Sequence, residues 1–390
     1  MKTFDWIVIG GGITGAALGY ELTKKGFSVL LLEQNATPQN ATRYSYGGLA
    51  YWSGTTELTR ILCTQGIERY RILSAELEAD TEFCELDLIL TIDREDDPET
   101  VAAAYHQCAI EPRLLDVAEA CELEPLLNRE AIAGALTVRH GHIQPEITAA
   151  AYSQAMMRMG GEMQIDSVVG LVRENQRIAG VSTPSATYYS GNVVVCAGGF
   201  SRKLLKSAGI NVRVYFSHAE MIETPPVDVQ LRTLVMPAQV KRFQLEALSS
   251  ADECDRLWND PGNEPAPPIL DPGAIQFKDG RIRIGQITRA LTDPHGTVDP
   301  TQSEADLRAQ VGKVLPTLEN LPGTWHHCLV AFGYNRLPVV GAIPEVEGVY
   351  LFSGFTNPLV FIPPLAQRFA NWVAGQNDAI ITQLSPVSSN

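Results

Sequence analysis

The run Trp6-Ile7-Val8-Ile9 passes directly into Gly10-Gly11-Gly12-Ile13-Thr14-Gly15, and no other segment restricts the fold as tightly. A short apolar run rich in β-branched residues reads as a buried strand, and the spaced glycines read as a turn opening a helix. A second apolar run, Ser28 to Leu32, then ends on Glu33. Strand, G-x-G-x-x-G turn, helix and acid-tipped strand together form the opening unit of a dinucleotide-binding fold. Gly10 permits the tight turn, Gly12 keeps a Cβ away from a pyrophosphate, and Gly15 lets the helix lie close on the strand. The helix beginning near Thr14 turns unpaired N–H groups and a positive dipole end toward the phosphates. Glu33 can accept both hydroxyls of an adenosine ribose, and its charge repels a 2′-phosphate.

Length allows about two domains and a large core in a chain of 390 residues. With 45% apolar and 19% charged residues the chain is globular in composition. A formal charge of −15 excludes a nucleic-acid surface, which needs a basic face. The seven cysteines include no C-x-x-C pair, which points to buried thiols in a reducing compartment. His106, His140 and His142 share no ligand spacing, so no metal site is expected. No apolar stretch is long enough to span a bilayer, and the first apolar run is a strand, not a leader. These features place the chain in the cytoplasm.

Helices are expected from about Thr14 to Lys25, from Glu57 to Glu78, and from Pro145 to the Gly160-Gly161 stop. Short β segments over 163–189 lead to a buried strand, Asn192 to Cys196, which ends in Ala197-Gly198-Gly199. The break from Asn259 to Gly273 carries five prolines and reads as a loop. Ile282 to Ile287 is the clearest strand of the second half. A helix capped by Ser303 and Asp306 follows, then a last strand at Val349–Ser353, a helix from about Pro364 to Ala374, and a loose tail. Nucleotide-type elements thus occur at the start, middle and end of the chain, and the second domain is supplied between them.

That distribution resembles the D-amino-acid oxidase superfamily of flavoproteins, the group of glycine oxidase and monomeric sarcosine oxidase. The resemblance rests on the glycine turn with Glu33; Arg43-Tyr44-Ser45-Tyr46-Gly47-Gly48; Gly141 to Pro145; Val193 to Gly199; and Pro338 to Gly341 before Ser353-Gly354. It implies an α/β fold of two domains, a Rossmann-like FAD-binding domain and a mainly antiparallel substrate domain. The first would comprise residues 1–83, 140–211 and 326–376, the second 84–139 and 212–325, with 377–390 as tail. It also implies FAD held by Gly10, Gly12, Thr14, Gly15, Glu33, Arg43, Ser45, Gly47, Gly48, Val168, Ala197, Gly198, Gly354, Phe355 and Thr356. The implied reaction is oxidation of a C–N bond in an amine or amino acid. Hydride passes to flavin N5, the imine hydrolyses, and dioxygen or another acceptor reoxidises the flavin.

Three further positions carry over from the resemblance. Arg60 matches an arginine that pairs a substrate carboxylate, with a solvated helix arginine as the alternative. Arg283 falls where relatives place a lysine that promotes reaction with oxygen, with an outward strand charge as the alternative. Cys328 matches a cysteine bonded to the flavin in sarcosine-oxidase-like members, assisted by His326 or His327, with a buried apolar thiol as the alternative.

The departures concern substrate and acceptor. Asn335-Arg336 replaces the family's Asp-Gly, Val330 stands at the position of a carboxylate-binding arginine, and Phe355-Thr356-Asn357-Pro358 replaces a His-Gly loop. A bulkier or less acidic amine than glycine is therefore expected, and an arginine at 283 favours a dehydrogenase. Two competing functions remain: a flavin-binding redox sensor or assembly protein without turnover, and a flavin hydroxylase, although no NADPH-recognition segment is apparent.

Overall fold

The computed structural model describes residues 3–344, 346–355 and 358–387. Two sheets organise them. The first runs in the order Val339–Ala342, Val349–Ser353, Thr187–Val195, Thr3–Ile9, Val29–Glu33 and Glu162–Ile165, with the hairpin Gly170–Glu174 and Arg177–Ser182 attached to Thr187–Val195. From Val349–Ser353 to Glu162–Ile165 every pairing is parallel. Strands buried on both faces need continuous apolar runs, which Trp6–Ile9, Val29–Leu32 and Val193–Val195 provide. Trp6 and Val8 pack under the helices Ile13–Lys24, Pro145–Arg158 and Pro358–Val373, while Ile7 and Ile9 pack against the hairpin and the helix Ser201–Ser207.

The second sheet runs in the order Thr324–Gly333, Val214–Glu223, Ile282–Arg289, Ile269–Gln276, Leu234–Pro237, Cys84–Asp93, Ile132–His142 and Gly48–Leu49. Its pairings are antiparallel except that of Leu234–Pro237 with Cys84–Asp93. One face, with Ile89, Ile222 and Ile284, is covered by the helix Pro300–Val314 through Leu307 and Val311. The other presents Leu88, Leu90 and Leu234 beside Trp52. The strand Thr324–Gly333 lies wholly in this sheet, where the expected boundary at 326 would cut it.

Several boundaries differ from expectation for identifiable reasons. The proline-rich break contains the start of the strand Ile269–Gln276, because Pro272 falls where the ladder skips between Leu270 and Gly273, so no bond needs its missing N–H. The helix expected to be capped by Ser303 opens earlier, on Pro300, where the Asp299 carboxylate accepts from Thr301 N–H and Gln302 N–H. The last long helix begins at Pro358 and runs through Pro363 and Pro364. Pro363 leaves the Leu359 carbonyl without its helical donor, and the Tyr70 hydroxyl donates to it instead. The described part of the tail is docked: Asp378 caps the helix Ala379–Leu384 and pairs with Arg368 at 2.6 Å, and Ile381 and Leu384 are buried.

Candidate active site

The carboxyl ends of the parallel strands, at Ile9, Glu33, Cys196 and Ser353, open into one cavity of about 1510 Å³ that continues to the Leu88, Leu90, Leu234 and Met236 side of the second sheet. In parallel sheets this end is where ligands bind. Pockets for single small ligands fill about 300–1,000 Å³, so this one has room for an extended ligand and a second molecule.

The glycine turn is built as its spacing requires. Gly10 has φ +106°, and a Cβ there would stand 2.6 Å from the Cys196 carbonyl oxygen. A Cβ on Gly15 would stand 1.9 Å from the Gly10 oxygen, so Gly15 sets the helix on the strand without itself lining the cavity. Gly12 and Thr14 line it, and Gly12 offers no side-chain cap to the first turn, where the Ile13 N–H instead donates to Thr42 Oγ1 at 2.9 Å. Glu33 is 6% exposed, and its carboxylate accepts from Gly11 N–H at 2.7 Å and Asn35 N–H at 3.1 Å. A carboxylate so fixed keeps lone pairs for incoming hydroxyls. A side-chain-free turn, a helix start and an anchored acid on one wall fit the phosphates and ribose of FAD.

Ser45, Gly48, Val168, Ala197, Gly198, Cys328, Gly354 and Phe355 line the same cavity. Gly47, Arg43, Arg60 and Arg283 are not among its lining residues, and Thr356 lies outside the described residues. Each arginine is engaged elsewhere. Arg43 meets Glu223 through two hydrogen bonds of 2.9 and 2.7 Å and lies 3.3 Å from Glu146. Arg283 is fully buried, donates to Glu223 at 2.8 Å and to the Ser45 carbonyl, and lies 4.4 Å from the Phe277 ring centre. With Arg281 also at 3.2 Å, three guanidiniums share one carboxylate. Burial raises the Glu223 pKa, but the bonds from Arg43 and Arg283 outweigh it and bring the group down to about 2. Arg283 therefore braces the loop at Ser45 and is not a free charge on the cavity wall. Arg60 is exposed and donates to the Gln107 carbonyl at 2.7 Å, which matches the solvated-helix alternative.

Cys328 is 5% exposed and packs with Tyr44, Ala219 and Met221. Burial pushes its thiol up to about 12, with Arg283 pulling weakly the other way. Strand alternation puts His326 on the same face, stacked on Tyr44 at 4.7 Å, and His327 on the other, stacked on His218 at 4.4 Å. Arg336 holds φ +63° where the family has glycine, so the turn survives the substitution at a strain cost.

Sequence reasoning missed the cationic wall residues Lys203, Arg242 and Arg336, the Thr42 contact, and the apolar chamber of Trp52, Tyr105 and Met236. None of these forms a local motif, because they sit on separate helices, turns and a strand that lie far apart in sequence. Among the described residues no cluster of three or more metal-ligating side chains occurs, and no helix is long and apolar enough to cross a membrane.

Fold and site define a flavin-dependent oxidoreductase. Residues 5–372 match the family model DAO, FAD dependent oxidoreductase, and the chain belongs to that family, as its motifs imply. Glycine oxidase of Pseudomonas putida is 24% identical over 390 residues, covering 96% of this chain and 95% of the relative. The 4-methylaminobutanoate oxidase (formaldehyde-forming) of Paenarthrobacter nicotinovorans is 27% identical over 94% of this chain, which spans only 43% of that relative's length. The crystal structure of glycine oxidase from Geobacillus kaustophilus superposes with a TM-score of 0.81 at 20% identity over the whole of both chains, which shows the shared fold.

Proposed function

We propose that this protein oxidises the C–N bond of a small amine or amino acid, giving an imine that water then hydrolyses. The observation that carries this reading is the continuity of the cavity, from the Glu33 carboxylate and glycine turn to an apolar chamber on the second sheet. Family membership and the substrates named for the two relatives above support it. FAD, when bound, supplies the hydride acceptor. Glu33 holds the ribose, and the loops at Ser45–Gly48 and Gly354–Phe355 line the adjoining wall. Leu88, Leu90, Leu234 and Met236 keep water out of the substrate end. Burial among them disfavours an ammonium ion, so the amine reacts in its neutral form without a dedicated base.

The engagement of Arg283 by Glu223 favours an electron acceptor other than dioxygen, because no free cation is offered from that strand. The raised Cys328 thiol favours FAD held without a covalent bond, since attachment needs a thiolate.

The test is anaerobic addition of primary amines, secondary amines and amino acids to the FAD-loaded protein. Bleaching of the oxidised flavin bands by at least one class is expected. Failure of every class would replace this reading with a flavin-binding protein that does not turn over. Acid precipitation should leave the yellow colour in the supernatant, and colour in the pellet would assign Cys328 a covalent role.

A further inference from the structure

His140 is a buried polar side chain in a largely apolar chamber. It lies on the strand Ile132–His142, is 4% exposed, and lines the cavity with Trp52, Leu88, Leu90, Tyr105 and Met236. The Trp52 indole N–H reaches His140 Nδ1 at 3.0 Å. An indole nitrogen can only donate, so Nδ1 must be the acceptor and the neutral ring carries its proton on Nε2. Burial, reinforced by His142, lowers the pKa to about 3, which keeps the ring neutral at working pH. Nε2 has no hydrogen-bond acceptor among the described residues, yet it is not one of the sealed, unpartnered atoms of the core. Gly48 gives it room: a Cβ at that position would stand 2.6 Å from Nε2. A buried N–H fixed in direction and lacking a partner is a recognition element awaiting an acceptor.

We propose that His140, locked by Trp52 as the Nε2–H tautomer, is a hydrogen-bond donor in a specificity pocket for amines whose apolar side chain ends in a neutral acceptor such as a carbonyl or ether oxygen. The proposal rests on the amine-oxidising reading of the cavity. The walls favour the apolar body, and the neutral imidazole offers an acceptor one bond without the charge that would draw a second carboxylate. His140 positions the substrate and takes no proton from it.

Phenylacetone and isobutylbenzene have nearly the same shape and differ by a carbonyl oxygen against a methyl, so they serve as probes with the FAD-loaded protein in titration calorimetry. One net hydrogen bond makes the ketone about tenfold tighter. His140→Phe should reduce that preference to about twofold or less, by the loss of the same bond. Trp52→Phe should keep the protein folded and weaken the preference partway, because the tautomer is released. The ¹⁵N spectrum of histidine-labelled protein should show His140 with an unprotonated Nδ1 and a protonated Nε2. No preference in the parent protein, an unchanged preference in His140→Phe, or the opposite tautomer would each overturn the proposal. Amine-driven bleaching without a ketone preference overturns this pocket alone. A ketone preference without bleaching by any amine supports the pocket and overturns the enzymatic reading instead.

Discussion

The two ends of the cavity are built by different means. At the proposed nucleotide end the wall is mostly backbone with one carboxylate: the Gly10 turn, the start of the helix Ile13–Lys24 and Glu33 all lie within the first 33 positions. At the proposed substrate end the wall is made of side chains from Leu88, His140 and Met236, brought together by sheet pairing, and from Trp52 and Tyr105 in turns, across nearly two hundred positions. Backbone sites tolerate little change, because a Cβ in the wrong place has nowhere to go. Side-chain walls can be redrawn without moving the sheet that carries them. On the proposed reading, the first end fixes the cofactor and the second can change its substrate.

This contrast predicts unequal responses to mutation. The largest effect belongs to Gly15→Val, whose Cβ would fall 1.9 Å from the Gly10 oxygen. Loss of soluble, FAD-binding protein is the outcome, read by expression and flavin content. Gly12→Ala meets Thr42 Oγ1 at 3.1 Å and Asn40 Nδ2 at 3.9 Å, and should retain the fold while weakening FAD.

Next comes Glu223→Gln, which leaves the buried Arg283 without its ion pair and should cost about 3–5 kcal/mol in denaturant unfolding. The pH dependence follows the same group. Its folded pKa of about 2 lies below the ordinary 4.5, so folding favours the ionised form. That stabilisation is complete above about pH 4.5 and falls away as pH drops toward 2, and the Glu223→Gln variant should lose this component of the acid transition.

A smaller, local effect is expected for Glu33→Gln. Replacing charge-assisted bonds to ribose hydroxyls should weaken FAD by about ten- to a hundredfold, measured by fluorescence titration, with amine preference unchanged. The smallest belongs to Arg60→Ala. As an exposed helix residue bonded to the Gln107 carbonyl, it should shift stability by about 0.5 kcal/mol or less and leave substrate KM unchanged. A tenfold rise in KM would restore its part in carboxylate binding.

The same division explains what could be read from the sequence. Gly10, Gly12, Gly15 and Glu33 announce themselves because local spacing alone determines their geometry, and the parallel sheet follows from their apolar flanks. The arginines do not. Whether Arg43 or Arg283 reaches the cavity depends on Glu223, which is far away in sequence, and the carboxylate wins both. Pro272 and Pro363 mark breaks by every local rule, yet a strand and a helix pass through them, because a ladder irregularity and the Tyr70 hydroxyl remove the penalty. His140 looks no different from His106 or His142 until Trp52 and Gly48 are set beside it.

The central claim is that one cavity holds cofactor and amine at separable ends, and Met236→Trp tests it most directly by filling the chamber from the second sheet. The measurement is anaerobic flavin reduction by an amine that bleaches the parent protein, beside the FAD content and the reduction achieved by dithionite. The account predicts full FAD content and complete dithionite reduction, with reduction by the amine slowed a hundredfold or more. Unimpaired reduction by the amine, with the variant folded and FAD bound, would contradict it.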